Sequence, residues 1–348
     1  MRDDSLLYLR RALDDARVIE VRHNRGGRWE SGLFDNMAAL TRAIRERSAE
    51  GSLYTTLNRP ASVVATNAFG ARALRDDDIA VITRIVFDLD PRRPTDTPST
   101  EAELSAAVEA RRLVATLLAA HGWPSPGVGI SGNGAHLVYR CCIENSPAWR
   151  QRAATLYAGL RGRLQSALDD LGVSFDVTVR NPARIWRLYG TTNRKGIATA
   201  ERPHRQAWIA LPVGAWQTVK ASTIEATSAS LTPVAERYQR AAVVARGPIG
   251  GSGDFATLDA VAWFTAHGAY RRPLADQKHA VSCPWSDQHT TGPRPNGSDT
   301  VIWERSAGGW PTFHCSHDHC AGRSLLDVIS LWGDADAYCS RDWSRRRG

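Results

Sequence analysis

Two aspartates separated by one residue, Asp88 and Asp90, close the apolar run Ala80-Val81-Ile82-Thr83-Arg84-Ile85-Val86-Phe87. A β-strand alternates its side chains, so both carboxylates point to one face and Leu89 to the other. Residues two apart on a strand have Cα atoms about 6–7 Å apart, close enough for two carboxylates to share hard divalent cations. Magnesium, or manganese in its place, takes one or two carboxylates with water and phosphate oxygens. The chemistry this permits is two-metal phosphoryl transfer. A strand running out into a polar turn also ends in aspartates, so the pair needs company to mean catalysis.

Two further segments supply it. Ser131-Gly132-Asn133-Gly134-Ala135-His136 packs a hydroxyl, an amide, two glycines and an imidazole into one turn. Glycines allow close backbone approach, and exposed N–H groups beside a histidine can hold a triphosphate. A plain hairpin with a surface histidine has the same residues. Asp176 stands in the apolar strand Val173-Ser174-Phe175-Asp176-Val177, where a charge needs a reason, and a third metal ligand is one. Arg184 and Arg187 then alternate with apolar residues, and Arg194-Lys195 follows. Guanidinium and ammonium groups converging on carboxylates suit nucleotide phosphates.

Another cluster lies near the C-terminus. Cys283 and His289 form one short-range pair, Cys315 and Cys320 another. Zinc takes four such ligands as two pairs from separate turns. His317 competes for one of these places with Cys320 or His289. A small metal module of this kind is expected to have its zinc in place of a hydrophobic core. Arg294, Arg305 and Arg323 with Trp285, Trp303 and Trp310 make either a stacking and phosphate-binding surface or, for the tryptophans, the module's own small core.

The elements that must position these residues follow from periodicity. Arg17–His23 and Gly51–Leu57 read as strands, with a helix between them over Asn36–Ser48. The strand ending at Asp90 is stopped by Pro91. Thr100 and Glu103 form a capping box for a helix that Gly122 ends. Val128–Ser131 and Ala135–Cys141 read as a hairpin. Ser146 and Pro147 open a second helix, which carries Leu156, Leu160, Leu164 and Leu168 and ends at Gly172. Strands follow at Val173–Val179, Ile185–Tyr189 and Ala207–Leu211. This order predicts an α+β layer, with helices on one face of a largely antiparallel sheet. Residues 219–255, rich in Ser, Thr and Ala and then in Gly from Gly247 to Gly253, read as a partly helical linker. Three parts are expected: 1–218, the linker 219–255, and 256–348 with strands at Val301–Glu304 and Trp310–Phe313.

The chain has 348 residues, six cysteines and a net charge of +8, with a pI near 9.5. A basic balance rich in Arg favours polyanions, though solvated helix faces produce it too. Cysteines beside histidines point to metal rather than to a disulfide framework. There is no run of about 18 apolar residues and no leader-like N-terminus, so a cytoplasmic protein without a membrane span is expected. No phosphate loop of the G-x-x-x-x-G-K-[ST] type is found, so any helicase activity would come from a separate replicative helicase.

In order, Phe87-Asp88-Leu89-Asp90, the Ser131–His136 turn and Phe175-Asp176-Val177 resemble the three motifs of the archaeo-eukaryotic primase superfamily. They look most like those of the primase-polymerase domains of phages, plasmids and mobile elements. The basic segment from Arg184 to Lys195 resembles the one that follows there, and Tyr54-Thr55-Thr56-Leu57-Asn58 an early strand. The resemblance spans residues 15–210. It implies a core like an RNA-recognition motif beside an accessory N-terminal α/β unit. It makes Asp88, Asp90 and Asp176 ligands of Mg2+ or Mn2+, and Ser131, Asn133 and His136 contacts to the nucleotide. Arg184, Arg187 and Lys195 would lie near the triphosphate or the template. Tyr189 departs from the family, where proline is common, and a minor effect on the loop is expected. The tail resembles the zinc-bearing tails of phage primase-like proteins. The function implied is primer synthesis or extension from NTP or dNTP on single-stranded DNA. The rivals are a non-catalytic replication initiator or single-strand-binding protein, and a metal-dependent nuclease or nucleotidyl cyclase.

Overall fold

The computed structural model describes residues 3–94, 96–244, 255–289, 297–304, 311–317, 320 and 323–340. The chain divides into two compact units, Met1–Tyr238 and Gln239–Gly348. The first runs α1 (Ser5–Ala16), β1 (Ile19–Arg25), β2 (Arg28–Phe34), α2 (Met37–Arg47), β3 (Ser52–Thr56), β4 (Arg59–Pro60), β5 (Phe69–Ala71), β6 (Ile79–Pro91) and α3 (Glu101–Ala120). It continues with β7 (Gly127–Ile130), β8 (Ala135–Glu144), α4 (Pro147–Asp170), β9 (Val173–Phe175), β10 (Ile185–Arg187), β11 (Thr192–Asn193), β12 (Arg205–Gln206), β13 (Trp208–Ala210) and the greater part of α5 (Ala221–Val244), which runs past the boundary at Tyr238.

The central sheet has the order β13-β7-β8-β6-β4, with β9 also paired to β6, and every pairing is antiparallel. Helices α3 and α4 cover one face, as the order of elements predicts. Phe87 packs there among Trp123, Tyr139, Tyr157 and Phe175, with Val114 and Leu156 fully buried. Both capping signals form: Thr100 and Glu103 bond reciprocally, and Ser146 accepts from the Trp149 amide. On the opposite face, Asp15 of α1 pairs with Arg84 at 2.7 Å and with Arg140 at 2.8 Å. The wholly buried Arg84 also lies over Trp216, 5.1 Å from the ring centre. A buried guanidinium is tolerable only with such partners.

A second antiparallel sheet, β10-β3-β1-β2-β5, is backed by α1 and α2 through Leu9, Leu13, Phe34, Leu40 and Leu53. The β1–β2 hairpin turns on Gly26-Gly27, whose φ angles of 56° and 90° suit a type I′ turn. Strand β10 reaches this sheet from far along the chain and pairs with β3. The expected linker opens differently: α5 buries Ile224 and Leu231 in the first unit's core, and Trp123 Nε1 donates to Thr227 Oγ1 at 2.9 Å. No helix among the described residues is long and apolar enough to cross a membrane.

The second unit holds α6 (Ala260–Ala266), β14 (Tyr270–Ala275), β15 (Lys278–Val281), β16 (Thr300–Trp303), β17 (Thr312–Cys315) and α7 (Leu325–Trp332). Its strands form one antiparallel sheet in chain order. Trp263, Phe264, Ile302 and Val328 are fully buried, so this unit has an apolar core of its own. That corrects the expectation that a metal replaces one. Arg294, Arg305, Trp310 and the glycines from Gly247 to Gly253 lie outside the described residues.

Candidate active site

Strand β6 carries the site because both of its edges are occupied there. Asp88 is opposite His136 of β8. On the other edge Leu89 pairs with Phe175, and the next residue, Asp176, donates its amide to the Asp88 carbonyl at 3.0 Å. His136, Asp88 and Asp176 therefore form one row across three neighbouring chain segments. Side chains in one row of a sheet share a face. Asp90 is two residues further along the same face, while Phe87 and Leu89 enter the core beneath α3 and α4.

Each acid faces a basic neighbour. His136 Nε2 lies 3.4 Å from Asp88 Oδ1. Arg93, only 2% exposed, donates to Asp90 Oδ1 at 2.9 Å. Arg184 donates to Asp176 Oδ2 at 2.9 Å, and the other oxygen accepts from the Thr178 amide and hydroxyl, both at 2.6 Å. The Asp88 and Asp90 side chains are 27% and 30% exposed, Asp176 only 11%. An ionised carboxylate has about four acceptor positions, so all three retain room for a cation, Asp176 through Oδ2. Lys195 approaches from the loop after β11. Burial pushes its ammonium below the ordinary lysine range, and the charge of Asp90 opposes that shift.

The other expected nucleotide contacts divide in two. Ser131 Oγ accepts from the Gly134 amide at 2.9 Å, and the buried Asn133 accepts from the Ser99 amide at 3.0 Å. Both shape the turn. The glycines serve the same end, since a Cβ on Gly134 would stand 2.7 Å from the Leu89 carbonyl and one on Gly132 2.8 Å from that of Arg205. The approach they permit is to the protein's own backbone. Arg187 is buried on the opposite face of β10 from Trp186, with its guanidinium 5.4 Å from the centre of the Tyr54 ring and a bond to the Thr192 carbonyl.

Sequence reasoning missed three side chains. Arg93 stood unremarked in a charged loop. Tyr189, expected to matter little, is buried with its hydroxyl 2.8 Å from His136 Nδ1. Trp186 Nε1 donates to that same hydroxyl at 2.9 Å, and its ring lies 4.1 Å from the imidazole. Burial pushes the Tyr189 hydroxyl well above the ordinary tyrosine range, so it keeps its proton. Having accepted from Trp186, it can give that proton to Nδ1, which leaves Nε2 as the donor toward Asp88.

In the second unit, the ligand atoms of Cys283, His289, Cys315 and Cys320 all lie within 4.8 Å of one another, and all four residues are buried. Cys283 and Cys320 sulfurs are 3.5 Å apart, and His289 Nε2 is 3.2 Å from Cys320 Sγ. A tetrahedral zinc site has edges of about 3.5–3.8 Å, so the group fits a metal ion. Side-chain hydrogen bonds, first from Cys283 and then from Cys320, hold the Cys315 thiol far below the usual range. His317 stands beside the four, stacked on His289 with ring centres 3.8 Å apart. Trp285 packs on Phe313 beneath Arg323, and Trp303 lies under Lys278.

No family model and no curated protein matches the chain. Solved structures similar to it include the AEP domain of the cyanophage S-2L primase-polymerase, at 17% identity and a TM-score of 0.39, over 64% of this chain and 96% of that one. The primase RepB' matches at 11% and 0.37, over 69% and 68% of the two chains. The polymerase domain of Mycobacterium tuberculosis ligase D, in complex with DNA, matches at 15% and 0.37, over 68% and 87%. All three are primases or polymerases by description.

Proposed function

We propose that the first unit is a primase-polymerase that joins nucleotides on a single-stranded DNA template. The observation that carries this reading is the row His136–Asp88–Asp176, with Asp90 on the same face and the Lys195 ammonium close by. Asp88, Asp90 and Asp176 would hold Mg2+ or Mn2+, ions whose chemistry is to neutralise triphosphate charge and to activate the attacking 3′-hydroxyl. The side chains do the positioning. His136, oriented by Tyr189, presents Nε2 to a phosphate oxygen. Lys195 and Arg184 bring positive charge to an anion seated over the carboxylates. A nuclease would also use paired carboxylates, but a donor histidine and a half-buried lysine beside them suit a triphosphate. The second unit's Cys3His group holds a structural zinc.

Titration calorimetry with a nucleoside triphosphate and, separately, with single-stranded DNA tests the assignment. His136→Ala and Lys195→Ala are expected to weaken triphosphate affinity at least tenfold more than DNA affinity. Unchanged nucleotide binding alongside lost DNA binding would sink it.

A further inference from the structure

One face of the second sheet of the first unit has a basic and aromatic stripe that catalysis does not use. Strands β1, β2, β3 and β10 each contribute to it. Arg187 pairs with Tyr54, and Tyr54 with Arg22, so their side chains share the face away from α1 and α2. At one end that face is closed: Glu20 is fully buried and accepts from Ser31, Arg22 and the Leu74 amide. At the other end it is open. Trp29, opposite Asn24, is 45% exposed. Its ring leans across β1 to within 5.5 Å of Tyr54, and the Arg187 guanidinium covers Tyr54 from the far side. Arg25 and Arg28, exposed at the Gly26-Gly27 turn, alternate onto the other face, where Arg25 pairs with Glu50 at 3.0 Å.

A half-exposed indole set beside a tyrosine ring and a guanidinium offers a flat face on which another ring can stack. On the stripe's face the cations Arg22 and Arg187 meet one acid, Glu20, which is buried and bonded to Arg22, so among the described residues no carboxylate pairs with Arg187. The missing partner is therefore anionic and flat-faced. Unpaired bases on a phosphate backbone have both properties, and base–aromatic stacking interleaved with arginine is how sequence-tolerant single-strand sites work. A duplex hides its base faces and cannot use Trp29. The stripe also meets the candidate active site: Arg187 holds the Thr192 carbonyl, at the head of the loop that carries Lys195, and Trp186 on the other face of β10 presses on His136.

We propose that Trp29, Tyr54 and the arginines around them form a stacking surface for single-stranded DNA approaching the carboxylate row. Its direction toward the row rests on the nucleotidyl-transfer reading; the binding itself does not. The test is fluorescence anisotropy of a labelled oligothymidylate and a labelled blunt duplex with the full chain at fixed low salt, since phosphate contacts make both affinities salt-dependent. Trp29→Ala is expected to weaken single-strand affinity about tenfold and leave duplex affinity unchanged. Trp29→Phe keeps a stacking ring and is expected to retain most of the affinity, and both variants should melt like the parent chain because Trp29 is largely outside the core. Unaltered single-strand affinity in Trp29→Ala, or an equal loss on duplex, overturns the proposal. If the expected losses appear in a chain that incorporates no nucleotide, the surface stands and the catalytic reading falls.

Discussion

The two clusters of metal-ligating side chains are built on opposite plans. In the second unit three thiols and an imidazole stand within 4.8 Å of one another, all buried. In the first unit the carboxylates are partly open, and each leans on a basic group: His136, Arg93 or Arg184. A closed four-ligand shell holds an ion for structure and leaves no place for a substrate. An open row whose charges are balanced by the protein's own cations can exchange those partners for ions that arrive with a triphosphate. The contrast predicts that metal removal separates the units. Brief chelation should silence the carboxylate row and be reversed by Mg2+ or Mn2+, while a zinc held by the closed shell would leave slowly and loosen the turns it ties.

The largest effect should come from breaking the closed shell. Structural zinc is worth about 10–16 kcal/mol in modules that have no other core; this unit has one, so Cys315→Ser/Cys320→Ser is expected to lose its metal and the hydrogen-exchange protection around β17, while the core about Trp263 and Val328 keeps part of its own. The first unit should keep its protection. The same variant should lose initiation on bare single strands yet extend an annealed primer, and equal loss of both would assign the tail to the stability of the whole enzyme. Opening the carboxylate row comes next. Asp88→Ala/Asp90→Ala is expected to lower incorporation about a thousandfold, as loss of a preorganised electrostatic group does, with an unchanged circular dichroism spectrum. Near-normal extension would remove these acids from the chemistry.

Smaller changes sharpen the same contrast. Gly134→Ala places a methyl group 2.7 Å from the Leu89 carbonyl and 2.8 Å from Asp90 Oδ1. Overpacking of that kind costs about 1–3 kcal/mol, to be read in urea denaturation, with incorporation falling because the Asp90 carboxylate must move. Tyr189→Phe leaves the Trp186 indole N–H and His136 Nδ1 without their shared partner, a loss of about 1–2 kcal/mol. The expected outcome is about a tenfold rise in nucleotide KM with a smaller change in kcat, together with a changed His136 ring nitrogen spectrum. An unchanged ring spectrum would mean that Tyr189 does not set the tautomer.

Much of the site was legible because it is local. Alternation on β6 put Asp88 and Asp90 on one face, and the caps at Thr100 and Ser146 fixed both covering helices. What escaped was non-local or masked by polarity. Strand β2, Arg-Trp-Glu-Ser-Gly-Leu-Phe, lacks a clean apolar alternation because half of its outer face is the open stripe, although Gly26-Gly27 marks the turn. Helix α5 read as linker because its contacts use small Ala, Ser and Thr residues, with Ile224 and Leu231 as its large anchors. The pairing of β10 with β3 spans more than a hundred residues, and no local pattern encodes such a register. Tyr189 acquired its role through that pairing, which carries Trp186 and the following turn over His136.

The most direct measurement is incorporation of labelled nucleotides by the full chain on single-stranded and primed templates, with and without Mg2+ or Mn2+, the products sized on a sequencing gel. The account predicts template-complementary products that lengthen with time, require the divalent ion, and vanish with Asp88→Ala/Asp90→Ala. Shortening of the template under the same conditions, with no nucleotide joined, would contradict it and make the carboxylate row a nuclease.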